Sequence, residues 1–296
     1  MTHNHPVWID SPAGDPAVDA PLLKDIREFL GREEVVNTIL LAGFLARDGF
    51  DPMHSVLAAR GGDDIIAVCS LTPGLFLLLS HVEDDAAIEA LAAEVVRRQV
   101  DLPGVMGPPG PALAFAEQWT RLTGGSFRPG MSQRILAARS VRPPEGVPGI
   151  WRHMEPADHP LLVSWFTAFN IEADGVPADV ARSRGQAMLD RLDERSGGLL
   201  WLDEGRSPVS IACYKAPTMN GIRIGPVYTP PEHRRRGYAG AVTAATTQLM
   251  LDRGHAFVCL YTDAANATAN HVYEAIGYEF VADSMQYRFE KEPDRP

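Results

Sequence analysis

The stretch Gly225-Pro-Val-Tyr-Thr-Pro-Pro-Glu-His-Arg-Arg-Arg-Gly-Tyr-Ala-Gly240 decides the fold of the C-terminal half of this chain. Residues Ile222 to Thr229 are mostly β-branched or aromatic, which predicts a strand. Pro226 lies inside it and predicts a bulge or splay, because proline cannot donate to a sheet ladder. Ala239 to Arg253 is rich in alanine with apolar residues at helical spacing, and Gly254 suits a C-terminal cap. The order is therefore strand, basic glycine loop, helix.

This loop has the features of an anion site. A helix N-terminus presents unpaired N–H groups and a partial positive charge. Gly237 and Gly240 carry no side chain, so a ligand could approach the backbone. Arg234, Arg235 and Arg236 add forked donors that suit phosphate. The alternative is a tight turn followed by a solvated basic patch, since short glycine motifs also occur by chance.

The residues that follow favour the ligand site. Arg234 to Ala239 resembles the acetyl-CoA signature of the GNAT superfamily of N-acetyltransferases, Gln/Arg-x-x-Gly-x-Gly/Ala at a strand-to-helix junction. A second strand, Ala256 to Thr262, leads into the superfamily pattern Asn-x-x-Ala-x-x-x-Tyr-x-x-x-Gly-Phe/Tyr. That pattern is matched by Asn266, Ala269, Tyr273, Gly277 and Tyr278. The resemblance covers about the last half of the chain and is closest to predicted bacterial acetyltransferases with an extra N-terminal domain. It implies a mixed α/β (α+β) fold with a mostly antiparallel central sheet flanked by helices.

The resemblance also implies a role for each motif residue. Acetyl-CoA would be the acyl donor, and no metal is implied. Backbone N–H groups of Arg235 to Gly240 would hold the pyrophosphate, and the backbone of Val227 and Thr229 would pair with the pantetheine arm. An N–H near Val227 could donate to the oxyanion. The complete predicted cofactor set is Val227, Tyr228, Thr229, Arg234, Arg235, Arg236, Gly237, Tyr238, Ala239, Gly240, Asn266, Asn270 and Tyr273.

Tyr273 and Glu172 are the predicted catalytic residues. A phenol is protonated at neutral pH and can donate to a leaving thiolate, although Tyr273 could equally be an aromatic core residue. Asn266 could contact pantetheine, cap the following helix, or do both. Glu172 is the first-ranked general base because it follows the helix where the superfamily places its acceptor loop. The other candidates are Asp174, Glu204, Glu232, His233 and a base that acts through water.

The chain is long enough for two domains. The segment Val141 to Gly149 is rich in proline and glycine, which predicts a linker at 141–149 between an N-terminal α/β domain (1–140) and a GNAT domain (150–296). The first half also shows strand, glycine-proline loop, helix and strand, so one interpretation is a degenerate GNAT copy. Its loop Gly107 to Pro111 has no neighbouring arginine, and its prolines remove N–H donors. We therefore expect no second cofactor site, and a structural or substrate-shaping role there instead.

Composition narrows the function further. The formal net charge of -11 argues against general nucleic-acid binding. Three cysteines without Cys-x-x-Cys spacing suggest buried thiols rather than a zinc site or disulfides. No signal peptide or membrane-length apolar run is visible, which predicts a cytoplasmic protein, either monomer or homodimer. The predicted function is acetyl transfer to a primary amine of an unknown small molecule or protein, in a ternary complex. The alternative is a non-catalytic CoA or acyl-CoA sensor or interaction protein.

Overall fold

The computed structural model describes residues 7–10, 16–45, 55–190, 192 and 195–290. It divides the chain into two compact units. The first comprises Met1–Ile135, Asp263–Ala265 and Val281–Pro296, and the second comprises Leu136–Thr262 and Asn266–Phe280. The predicted domain limits remain a prediction, and the two units are divided at other residues. The proline-rich segment 141–149 lies within the second unit, and the chain after Val281 returns to the first.

The described part of the first unit is a sheet with four helices. Its strands are β1 (Val7–Asp10), β2 (Ser55–Gly61), β3 (Asp64–Leu71), β4 (Leu77–Leu79), β5 (Gly104–Gly107) and β6 (Ser126–Ala138), of which residues 136–138 belong to the second unit. Its helices are α1 (Pro16–Gly31), α2 (Thr38–Leu45), α3 (Asp85–Arg97) and α4 (Pro109–Thr123). The last strand of the chain, β12 (Glu279–Glu290), joins this sheet from residue 281 onward and pairs antiparallel with β5.

The second unit repeats that order. Its strands are β7 (Ile150–His153), β8 (Gly197–Leu202), β9 (Pro208–Lys215), β10 (Gly221–Tyr228) and β11 (Phe257–Asp263), which crosses into the first unit at its last residue. Its helices are α5 (His159–Asp174), α6 (Ala178–Asp190), α7 (Tyr238–Asp252) and α8 (Ala267–Ala275). The strands β7, β8, β9 and β10 pair antiparallel in sequence, and β10 then pairs in parallel with β11.

In its described residues, each half of the chain therefore carries the same succession: strand, two helices, three strands, helix, strand, helix, strand. The pairing also repeats, because β4 runs antiparallel to β3 and parallel to β5, as β10 does to β9 and β11. The mixed α/β class with a mostly antiparallel sheet is confirmed. The first half is a second copy of the same chain order, as one interpretation of the sequence held.

This correspondence corrects the position of one loop. Gly107 to Pro111 follows β5, so its counterpart is the turn between β11 and α8 rather than the arginine loop. The true counterpart of the arginine loop is residues 80–84, between β4 and α3. That segment ends in Asp84, whose carboxylate caps α3 by accepting from the N–H of Ala86 at 2.9 Å. A carboxylate at that position repels phosphate.

Two hydrophobic cores build the second unit. One lies between the sheet and α7 and includes Val242, Met250 and Val258. The other lies under α5 and α6 and includes Phe166, Leu189 and Ile211. The three cysteines, Cys69, Cys213 and Cys259, are all buried, and none is in a disulfide. Together these cores hold β10 and the start of α7, which carry the predicted site.

Residues 7–10 form a strand, because they pair with β2. The last described strand, β12, is continuous from Glu279 to Glu290. One local expectation was wrong. Glu172 lies in the last turn of α5, not in a turn after it. Within residues 7–10, 16–45, 55–190, 192 and 195–290, no helix is long and apolar enough to cross a membrane.

Candidate functional site

The predicted bulge at Pro226 is confirmed. The pairing of β10 with β9 shifts register between Ile224 and Val227. On its other side, β10 pairs with β11 from Gly221 opposite Phe257 to Arg223 opposite Cys259. Both strands continue beyond that point. Their outer halves therefore separate, which leaves backbone groups of β10 beyond Arg223 without β11 as a partner.

The end of β10 is held firmly from the β9 side. The hydroxyl of Ser210 donates to the carbonyl of Tyr228 at 3.1 Å and lies 2.7 Å from the hydroxyl of Thr229. Ser210, Tyr228 and Thr229 are all buried. The predicted pantetheine-binding residues Val227, Tyr228 and Thr229 thus lie on one rigid strand end beside the opening.

Helix α7 begins directly after the arginine loop. Its first helical hydrogen bond runs from the N–H of Ala241 to the carbonyl of Gly237, at 3.0 Å. The N–H groups of Tyr238, Ala239 and Gly240 consequently have no acceptor inside the helix. These donors, with the partial positive charge of the helix end, fit a pyrophosphate.

The fold itself requires a glycine at position 237. Its φ is 82°, in the left-handed region that favours glycine. A Cβ at this position would lie 2.8 Å from Cγ2 of Val147. The missing side chain therefore makes room for Val147 of the proline-rich segment, which sequence reasoning had set aside as a linker.

The three arginines divide into two kinds. All three are exposed, and Arg235 adopts a φ of 62°. Arg234 turns back toward the sheet: its Nε donates to the carbonyl of Thr229 at 2.8 Å, and its Nη2 donates to Oε2 of Glu172 at 2.6 Å. Its guanidinium also lies 5.8 Å from the ring centroid of Tyr228.

The structure brings Glu172 to this same place. Its Oε1 accepts from the hydroxyl of Tyr228 at 3.1 Å, while Oε2 accepts from Arg234. The side chain of Glu172 remains 44% exposed. Burial, followed by the negative charge of Glu172, raises the pKa of the Tyr228 phenol above its usual range. Glu172 and the end of β10 are thus one hydrogen-bonded cluster.

Tyr273 lies on α8, half-buried against the core that also contains Val227 at its margin. Burial raises the pKa of its phenol to about 12. Its ring is tilted against that of Tyr278, with centroids 6.0 Å apart. The hydroxyl of Tyr278 is bonded to that of Thr247 at 2.7 Å. Tyr278 is a structural member of the motif, and Tyr273 stays the predicted acid.

The asparagines of the second motif both organise α8. Asn266 caps the helix, as predicted, because its side chain accepts from the N–H of Ala269 at 3.0 Å. The N–H of Asn270 donates to the carbonyl of Asn266, and the side chain of Asn270 is buried. The contacts of both residues with a cofactor remain predictions.

The other base candidates differ in exposure. Glu204 is exposed in the turn between β8 and β9, and Glu232 is exposed in the short helical turn at 231–233. His233 follows it and is half-buried. The side chain of Asp174 lies outside the described part of the chain. Sequence reasoning missed Ser210 and Val147, because neither belongs to a motif and only tertiary contact links them to the loop.

Comparison with known proteins places this geometry in a known fold. Residues 213–288 match the family model of the FR47-like protein. The chain is similar to a GCN5-related N-acetyltransferase from Sphaerobacter thermophilus, at 19% identity over 95% of each chain, with a TM-score of 0.55. It is also similar to a GCN5-related N-acetyltransferase from Kribbella flavida, at 20% identity over 76% of this chain and 87% of that chain, with a TM-score of 0.53.

A tandem GNAT protein from the clavulanic acid biosynthesis pathway matches over nearly the whole length. It covers 98% of this chain and 100% of its own, with 12% identity and a TM-score of 0.60. A search of curated protein sequences finds no significant match. The resemblance to the GNAT superfamily is confirmed in the fold, and the tandem protein fits the repeated order of elements.

Proposed function

Since this chain has the fold of the GCN5-related N-acetyltransferases, we propose that its second unit binds acetyl-CoA and transfers the acetyl group to a primary amine. The acceptor is a small molecule or a protein, attacked directly in a ternary complex. The observation that carries the proposal is the coincidence of three features at one place. These are the opening between β10 and β11, the unpaired N–H groups at the start of α7, and the exposed side chains of Arg235 and Arg236.

The features fit the chemical parts of the donor in order. The exposed guanidinium groups and helix N–H groups suit the phosphates. The separated edge of β10 suits the amide-containing pantetheine arm, which can pair with a strand as an added strand would. Acetyl-CoA would supply the activated acetyl thioester. The chain's own part is to hold it, polarise its carbonyl and move protons.

Tyr273 supports the proton transfer to the departing sulfur. With a pKa raised to about 12 by burial, its phenol stays protonated at neutral pH and can donate. As the nitrogen–carbon bond forms, the carbon–sulfur bond breaks and the thiolate takes the proton of Tyr273. The attacking amine gives up its own proton to a base, for which Glu172 and a water molecule stay the candidates. An N–H near Val227 is the proposed donor to the carbonyl oxygen.

One cofactor per chain follows from the differences between the two copies. In the first unit, β4 and β5 stay in contact to the end of β4. The backbones approach so closely there that a Cβ at Gly107 would lie 2.6 Å from the carbonyl oxygen of Leu79. The segment before α3, residues 80–84, contains no arginine and ends in Asp84 at the N-cap, where α7 has Gly237. Neither an opening for pantetheine nor a cationic loop is present in the described residues of that unit.

Titration calorimetry with CoA tests the proposal. We expect one site per chain, weakened roughly 10-fold or more by Arg236→Glu, which reverses a charge beside the phosphates. The matched control is Arg182→Glu, the same charge change on the exposed face of α6. It should leave the affinity unchanged. Absence of CoA binding to the intact chain would refute the proposal. An equal loss of CoA affinity in both variants would show that the loop contributes only through the net charge of the protein.

A CoA-binding sensor without turnover is the second candidate, and one observation favours it. Both oxygens of Glu172, the first-ranked base, are engaged by Tyr228 and Arg234. Because both oxygens already accept hydrogen bonds, an incoming amine would compete with Tyr228 and Arg234 for this carboxylate. A screen of small amines, polyamines and peptide N-termini separates the two functions, because an enzyme releases CoA faster with an acceptor than without. Uniform background release over the whole screen would select the sensor.

A further inference from the structure

Arg234 occupies the first position of the cofactor signature, yet its side chain is committed elsewhere. It donates to the carbonyl of Thr229 at 2.8 Å and to Glu172 at 2.6 Å, and it lies over the ring of Tyr228. These contacts join three segments: the loop, the end of β10 and the last turn of α5. The Nε–H and one Nη2–H of the guanidinium are donated within the protein, and the guanidinium lies over the Tyr228 ring.

Glu172 depends on this arrangement. It lies near the C-terminus of α5, where the helix dipole disfavours a negative charge. Arg234 compensates that charge, and the hydroxyl of Tyr228 binds the other carboxylate oxygen. Without Arg234, the carboxylate would have one partner and several rotamers. The phenol would also face an uncompensated charge.

The cluster lies on the acceptor side of the proposed reaction. Tyr228 follows Val227, whose backbone is the proposed partner of the pantetheine arm, and Thr229 precedes the loop. Glu172 reaches this strand end from α5, and its side chain is 44% exposed. An amine that approaches the end of β10 from solvent would meet Glu172.

We propose that Arg234 is a positioning residue of the acceptor side and not a phosphate ligand. It holds the Glu172 carboxylate against Tyr228 and clamps the carbonyl of Thr229, whereas Arg235 and Arg236 serve the phosphates. The role toward the acceptor rests on the proposed function. The contacts of Arg234 with Glu172 and Thr229 do not depend on it. Arg234, a residue of the cofactor motif, is thereby reassigned to the other substrate.

Calorimetry with CoA separates the arginines. Arg234→Gln and Arg236→Gln remove the same charge two residues apart. We expect Arg234→Gln to bind CoA within about 2-fold of the native chain, and Arg236→Gln to bind roughly 5-fold more weakly. Circular dichroism and thermal unfolding establish that both variants are folded. A loss of CoA affinity in Arg234→Gln as large as in Arg236→Gln would overturn the assignment.

The phenol of Tyr228 gives a readout that needs neither CoA nor an acceptor. Glu172 raises its pKa and Arg234 lowers it. Fluorine NMR of protein carrying 3-fluorotyrosine, with Tyr228→Phe to assign the signal, follows that titration. Glu172→Gln should shift the Tyr228 titration to lower pH, and Arg234→Gln should shift it to higher pH. Shifts in the same direction, or none, would show that the cluster does not exist in solution.

The two measurements also distinguish this inference from the function on which it rests. If the native chain binds no CoA but the opposite titration shifts appear, the proposed function fails and the cluster stands. If CoA binds to the native chain and the shifts are absent, the cluster fails alone. Where an amine supports turnover, Arg234→Gln should raise KM for that amine and leave KM for acetyl-CoA unchanged, and Arg234→Lys should restore part of the loss.

Discussion

Gly237 and Gly240 lie three residues apart in the same loop and helix, yet alanine should affect them in opposite directions. At Gly237, φ is 82°, and an alanine Cβ would lie 2.8 Å from Cγ2 of Val147. The left-handed conformation costs a non-glycine residue roughly 1–2 kcal/mol. Overpacking against Val147 adds about 1–3 kcal/mol, depending on how far that side chain can move. We expect Gly237→Ala to destabilise the protein by roughly 2–5 kcal/mol.

Gly240 is the matched control. An alanine Cβ there would lie 3.4 Å from Cγ1 of Val272, an ordinary contact, and the position is helical. Alanine is favoured over glycine in a helix by roughly 0.5–1 kcal/mol. Gly240→Ala should therefore be neutral or slightly stabilising, although both glycines belong to the predicted cofactor set.

Urea unfolding of Gly237→Ala, Gly240→Ala and Val147→Ala/Gly237→Ala measures these effects. The double variant should recover the packing part of the loss but not the part due to φ. If Gly237→Ala lies within about 0.5 kcal/mol of the native chain, the contact with Val147 and the conformation of the loop are both refuted. If it is stable yet loses CoA binding, the glycine serves ligand approach as the motif first indicated.

Three further outcomes are expected. Tyr273→Phe should lower turnover and leave CoA affinity unchanged, and unchanged turnover would remove Tyr273 from its role. Because burial raises the pKa of this phenol to about 12, its ionisation should not lower the rate of the native chain between pH 7 and 10. Asn266→Ala should cost about 1 kcal/mol in thermal or urea unfolding through loss of the cap, and Asn266→Ser should restore most of it. Asp158 binds Arg152 through both carboxylate oxygens, at 2.6 and 2.7 Å, which lowers its pKa. Its stabilisation is therefore complete above the unfolded carboxyl pKa and is lost as pH falls through the lower folded value, so acid unfolding of Asp158→Asn should lose that part of the pH dependence.

The strand, loop and helix around residues 225–240 could be predicted because each depends on local chemistry. Pro226 interrupts a β-branched run, and an alanine-rich segment follows two glycines. The cap at Asn266 is equally local, since the side chain needs only an N–H three residues ahead. The two-motif order was sufficient to predict the GNAT fold.

The partners of the same residues could not be predicted, because they depend on segments brought together by folding. Arg234 resembles a phosphate ligand in the sequence, but Glu172 of α5 and the carbonyl of Thr229 take its guanidinium. In the sequence, Gly107 to Pro111 lies between a strand and a helix, as the cofactor loop does. The strand order shows that its counterpart is the turn between β11 and α8.

The sequence by itself determined which elements form and which loop carries the cationic signature, because helix periodicity, strand alternation and turn residues act over a few positions. Only the tertiary structure decided that Gly237 faces Val147, that the last described strand joins the first unit, and that Arg234 turns back to Thr229 and Glu172. Those outcomes depend on side-chain direction and long-range pairing, which sequence spacing does not encode.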